Sequence, residues 1–218
     1  MDRRVASVVI GIVGYSPVLD RYPLGPRLMR ALERGPWPDC EVAVENMTWG
    51  PVHIVQRYQD EGFPGDRLVL VGAAAEASVP GQITCTRWHG GKIDEAAMQE
   101  RMYEAVTGIV SLENTLVIGD HFGIWPDEVF TVEIDMKEST FGDLVISEAG
   151  PEYAVARSNR ELAEDIGFDV EDAIDRLAAA ARDVALHGPR ASATLIPRTS
   201  GRLAPTRPFA QTDVLRAP

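Results

Sequence analysis

Four histidines, two cysteines and several paired carboxylates are the side chains here that could move a proton, attack a carbonyl or hold a metal. Asp39 with Glu41, and Asp127 with Glu128, have the closeness an acid–base pair needs. No histidine is fixed by spacing beside either pair, and their neighbours read as solvated loop or strand-edge positions. His53 falls in a helix after Gly50-Pro51; it could face a crevice at a sheet edge, but a partly exposed helix position is the favoured reading. His89 sits in Arg87-Trp88-His89-Gly90-Gly91, a surface loop beyond an edge strand. His121 and His187 each fall in the last turn of a helix, where a cationic ring complements the helix dipole. Cys40 and Cys85 have no CxxC partner, which argues against zinc ribbons and disulfide frameworks and suits buried structural thiols in a reducing cytosol. GxSxG, HExxH and P-loop patterns are absent, and Gly11-Ile12-Val13-Gly14 lacks the remaining glycine of a dinucleotide fingerprint.

The elements that would position these groups alternate. Val8–Val13 and Leu68–Val71 are near-continuous apolar runs, as expected of strands covered on both faces. Residues 41–45 alternate like a strand, Gln82–Arg87 reads as a more exposed one, and Val129–Ile134 as another. Helices are expected from Gly25, with Pro26 in the first turn, over Val52–Tyr58, over Asp94–Val110 and over Leu112–His121. A further helix begins at Asp169, with Asp172 at capping-box spacing and Ile174, Leu177, Ala181 and Val184 forming its stripe. The alternation predicts an α/β fold: three α/β/α layers, with a mostly parallel twisted sheet and helices on both faces. In such sheets the carboxyl edge of the strands is where ligands and catalytic groups sit. Gly72, closing the run Leu68–Val71, stands at that edge without a side chain. Trp49 and Trp125, in turns, are the tryptophans expected to line a recognition groove.

Size and composition set the outer bounds. The chain has 218 residues, 45% hydrophobic and 25% charged, enough for one packed domain with a tail. The division expected is a domain over residues 1–187 and a flexible Pro/Arg-rich tail over 188–218. A net charge of −12 argues against nucleic acid as a partner, because phosphate binding needs a basic surface. The charge is uneven: from His187 onward Arg190, Arg198, Arg202, Arg207 and Arg216 face only Asp213, a net of +4 against −16 for the first 186 residues. That tail could dock on an acidic surface, its own body included. No apolar run spans a bilayer and no secretory cleavage pattern is seen at the amino terminus, so a cytoplasmic, membrane-free protein is expected.

Four landmarks occur in order. The first is Gly11-Ile12-Val13-Gly14 with Asp20 and then Leu24-Gly25-Pro26-Arg27-Leu28; the second is Glu45-Asn46-Met47-Thr48-Trp49-Gly50. The third is Leu68-Val69-Leu70-Val71-Gly72-Ala73 followed by Val79-Pro80-Gly81-Gln82-Ile83. The fourth is Val110-Ser111-Leu112 with Leu116–Gly123 and Trp125–Val129. Together they resemble the maturation endopeptidases of nickel–iron hydrogenases, over roughly residues 5–135 plus the helix near Asp169. Those enzymes trim the carboxy-terminal extension of the hydrogenase large subunit after nickel insertion.

The resemblance implies three converging metal-binding side chains, and their mapped positions are vacant. The first-loop carboxylate falls on Arg21 or Tyr22, with Asp20 one step away. The strand-end aspartate falls on Gly72 and the histidine on Gly108. The family's first-loop asparagine is missing too, with Tyr15 or Ser16 nearby. A borderline metal needs about three or four N, O or S ligands, so the implied role is a non-catalytic accessory or assembly factor without a cofactor. It would bind a hydrogenase large subunit or its precursor in a groove near Tyr22, Trp49, Gly72 and Gly108. The alternative is an active endopeptidase that senses nickel on its substrate through Asp20 and a histidine such as His53 or His121. A third reading is an unrelated hydrolase on the same layers.

Overall fold

The computed structural model describes residues 6–13, 24–38, 40–48, 50–74, 79–106, 111–135 and 169–200. Strands β1 (Ala6–Ile12), β2 (Cys40–Asn46), β3 (Arg67–Ala74), β4 (Ile83–Trp88), β5 (Glu128–Asp135) and β6 (Leu195–Arg198) form one sheet in the order β2-β1-β3-β5-β4-β6. β2, β1, β3 and β5 run parallel; β4 is antiparallel to β5, and β6 is parallel to β4. Helices α1 (Leu24–Glu33) and α5 (Val170–His187) cover one face; α2 (Pro51–Glu61), α3 (Glu95–Val106) and α4 (Leu112–His121) cover the other. The predicted three-layer α/β/α architecture is what the chain adopts.

The strands divide their side chains between two cores, as a period of two requires. Val8, Ile10, Val69, Val71, Phe130, Val132 and Ile134 meet Leu28 and Leu32 of α1 and the stripe Ala173, Leu177, Ala181, Val184 of α5. Val9, Leu68, Leu70 and Val129 meet Ile54, Val55 and Tyr58 of α2, Met98 of α3 and Leu112 and Leu116 of α4. The caps follow the sequence: Asp169 accepts from the Asp172 N–H at 2.9 Å, and Ser111 accepts from the Asn114 N–H at 3.0 Å.

Three readings of the sequence are corrected. Gly72 does not end its strand, because β3 continues to Ala74 in register with β5 to Asp135. β4 is not an edge: Cys85, Thr86 and Trp88 are buried because β6 lies outside it. Residues 188–200, assigned above to a flexible tail, form a 3₁₀ turn (Gly188–Arg190) and strand β6. The turn is tied to α5 through Asp183, whose carboxylate accepts the Ala193 N–H at 3.0 Å and pairs with the His187 ring at 2.8 Å. Proline content pointed away from order here, but Pro189 opens the turn and Pro197 sits in a strand at the sheet margin, both positions a proline tolerates. Segment 137–167 and the arginines beyond residue 200 lie outside the described residues.

Candidate functional site

The chain crosses from β1 outward to β2 and then back to β3, so the winding reverses between β1 and β3. The carboxyl end of that pair is the crevice in which open α/β sheets bind ligands. Val13 closes it from the β1 side, its N–H donating to the Val71 carbonyl at 2.8 Å. Gly72 follows on the face shared with α4, and its Cα is in register with that of Glu133 on β5. A Cβ placed on Gly72 would stand 2.7 Å from the Val13 carbonyl oxygen and 3.1 Å from Leu112 Cδ1. The first separation is below any tolerable carbon–oxygen contact, and the oxygen belongs to backbone that cannot swing aside. The position is filled by its neighbours, and glycine is the residue that fits.

Residue 72 can therefore supply no side-chain ligand to a metal at this corner. Glycine brings no side-chain donor, and a larger side chain has no room. Among the described residues, no group of three or more His, Cys, Asp or Glu is placed to hold a metal ion. Asp20, Tyr22, Trp49 and Gly108 lie outside the described residues.

Next to the crevice, the ends of β2 and α2 enclose an open depression of about 260 Å³ lined by Glu45, Asn46, Met47, His53, Ile54, Arg57 and Tyr58. Glu45 organises its floor. One carboxylate oxygen accepts from Arg57 Nη1 and from the Tyr58 hydroxyl, each at 2.8 Å. Burial first, and then the hydrogen bond to Glu45, push the Tyr58 phenol well above its ordinary value, so it stays a protonated donor. Arg57 also bonds Glu61 at 3.2 Å, which with Glu45 raises the guanidinium further. Both donors reach the same carboxylate oxygen, so Glu45 keeps acceptor capacity for a bound ligand, and neither donor gives up its proton near neutrality. A polar floor beside the apolar Met47 and Ile54 suits the backbone and side chains of a peptide.

The histidines do not converge. His53 and Glu45 line the same depression. His89 follows β4, and His121 ends α4 ahead of β5; both lie at the opposite, amino edge of the sheet. There His121 stacks edge-on against Phe122, and Asp120 approaches Gly90. Trp125 is corrected from groove to core: its indole N–H donates to the Leu116 carbonyl at 2.9 Å, and its ring meets Tyr58 and Phe63 edge-on. Gly119 makes room for that ring, which lies where a Cβ would be.

The sequence reading missed a buried polar cluster on the same face. Glu133, 7% exposed, accepts from Thr131 Oγ1 at 2.7 Å and from Arg198 Nη1. Arg198 also pairs with Glu113 at 3.5 Å. Glu113 accepts from Arg101 at 2.7 Å; Arg101 donates to Asn114 at 2.6 Å, and Asn114 to Glu104 at 2.6 Å. Asp135 lies two residues beyond Glu133 on the same face, with its carboxyl raised by burial and then by the Glu133 charge. The signal was in the sequence: Thr131, Glu133 and Asp135 alternate with Phe130, Val132 and Ile134, a polar period-two stripe on a strand too apolar on its other face to be solvated.

No family model and no curated protein matches the chain. Solved structures to which the chain is similar include the hydrogenase-maturating endopeptidase HybD of E. coli, 18% identical over 81% of this chain and 92% of that one, with a TM-score of 0.38. The endopeptidase HycI of Escherichia coli is 14% identical over 82% and 90%, with a TM-score of 0.42. Pyrrolidone carboxyl peptidase of Pyrococcus furiosus is 15% identical over 78% and 99%, with a TM-score of 0.31. At these identities and scores no residue role passes from those proteins to this chain.

Proposed function

We propose that this chain is a non-catalytic binding protein built on the layers of the hydrogenase maturation endopeptidases, and that it docks a hydrogenase large subunit or its precursor as an accessory or assembly factor. The partner comes from the ordered sequence landmarks. The loss of catalysis rests on one observation: the place where the resemblance calls for a metal-binding aspartate is Gly72, sealed by the Val13 carbonyl and Leu112. The depression beside it, with Glu45 held by Arg57 and Tyr58, is the surface offered to the partner's peptide. Among the described residues no helix is long and apolar enough to cross a membrane.

Co-expression with a hydrogenase large-subunit precursor tests this reading directly. The precursor is expected to co-purify with the chain at unchanged length, and Tyr58→Ala to weaken the association about tenfold. Shortening of the precursor at its carboxy terminus only when this chain is present would make it an active endopeptidase instead. Titration with nickel or cadmium should give no stoichiometric site; tight binding abolished by Asp20→Ala would point the same way as cleavage.

A further inference from the structure

The sheet margin at β6 behaves unlike the rest of the fold. β6 is four residues long, with Pro197 exposed and Ile196 50% exposed, so apolar burial contributes little to holding it. Its backbone pairs with Cys85–Trp88 of β4, and the His89 N–H donates to the Arg198 carbonyl at 3.0 Å. Its one deep contact is ionic. The Arg198 side chain crosses β4 to reach Glu133 on β5, with Glu113 at 3.5 Å. Among the described residues Arg198 is the sole cation paired with Glu133. With Arg198 withdrawn, Glu133 would keep the Thr131 hydroxyl and lose its counter-charge. A buried carboxylate in that position demands a cation.

The combination is a strand site with a charge test. Main-chain pairing to an open edge is indifferent to sequence, whereas a buried carboxylate behind the edge selects a cation at one position. A guanidinium can address Glu133 and Glu113 together, which a single ammonium point charge does less well. Shallow apolar burial leaves the ionic contact at Arg198, rather than packing, to set the cost of leaving, so a strand that brings its own guanidinium can take the place of β6.

We propose that the outer edge of β4, with Glu133 and Glu113 behind it, is a docking site for an extended, arginine-bearing peptide segment. Residues 195–198 fill it in cis, and a partner strand of the same chemistry takes their place. The occupant needs an apolar residue at the Leu195 position, where the side chain packs toward the α1/α5 face, and an arginine three residues later. The site lies apart from the depression at Glu45 and stands whether or not the partner there is a hydrogenase subunit.

The test uses the full chain with a specific protease sequence inserted between Ala193 and Thr194 and cut after folding. The probe is a fluorescein-labelled peptide of residues 194–200. It is expected to bind the cut chain at least about tenfold more tightly than the uncut chain, and Arg198→Glu in the peptide to remove that binding. Arg198→Lys should fall between the two. Equal binding to cut and uncut chain, or equal binding by the arginine and glutamate peptides, overturns the proposal. If cutting unfolds the chain, amide exchange in the uncut Arg198→Glu protein decides. Exchange at 85–88 and 195–200 should rise about tenfold or more with α5 and β1 unchanged; unaltered protection at β4 and β6 overturns it.

Discussion

On the face of the sheet that carries α2, α3 and α4, two neighbouring regions solve opposite problems. At the β1/β3 crevice, where topology invites a ligand, the interior is closed by a carbonyl and a leucine over Gly72. Beyond it, under α3 and α4, the interior holds Glu133, Glu113, Arg101, Arg198 and Asn114 in continuous contact. Where the topology would admit a ligand there is packing, and where a plain core would do there is charge. Position at a switch point is thus no guarantee of function, and a buried charge cluster can lie off the predicted crevice.

The largest break in this contrast should come from Gly72→Asp. The new Cβ meets the Val13 carbonyl at 2.7 Å, and a carboxylate would be buried without a donor, so a loss of about 4 kcal/mol is expected in denaturant unfolding. An unchanged midpoint would mean the crevice is open after all. Next in size is Arg198→Met, which leaves Glu133 without its cation and should cost about 2–3 kcal/mol. The double change with Glu133→Gln should recover most of that, and a failure to recover would show that Arg198 acts through packing instead.

Two carboxyls sharpen the comparison through pH. Asp135 has a folded-state value above its unfolded one, first because it is buried and then because Glu133 repels it. Ionised Asp135 therefore weighs against folding at neutral pH, and the penalty fades as pH falls through the raised value. Asp135→Asn should raise the melting temperature by about 2 °C at pH 7, with the gain gone in acid. Asp183 runs the other way. Burial alone would lift it, but the Ala193 and Ser192 N–H groups and the His187 ring outweigh that and hold it below the ordinary range. Its contribution is complete above the ordinary carboxylate value and is lost as pH falls through the lowered one, so Asp183→Asn should abolish a stabilisation of β6 seen only above that range. The smallest effect is kinetic: Cys85, pushed up to about 11 by burial and then by the Asp183 and Glu133 charges, should react with iodoacetamide at pH 8 far more slowly than half-exposed Cys40.

Much of the architecture is legible in local sequence pattern. Apolar runs at Val8–Val13 and Leu68–Val71, the Asp169 cap and the stripe on α5 specify strands, a helix and their layers by periodicity alone. The lateral order did not follow, because what makes β4 interior is its contact with residues more than a hundred positions later. The candidate site was legible only as an absence. Gly72 announces that no ligand stands there, but that Leu112 occupies the space is a tertiary fact. The Glu133 cluster escaped for a related reason: its cation arrives from Arg198, in a stretch whose prolines and arginines read as a tail.

Pro197 carries one more consequence. Because the Arg198 carbonyl faces inward to His89, the alternation of a strand turns the residue before it outward. The outermost rim of the sheet therefore presents a ring nitrogen where an amide hydrogen would stand. Among the described residues β6 is the last strand on this side, and a further strand arriving there would miss a donor at its centre, which makes edge-to-edge stacking by neighbouring molecules less favourable.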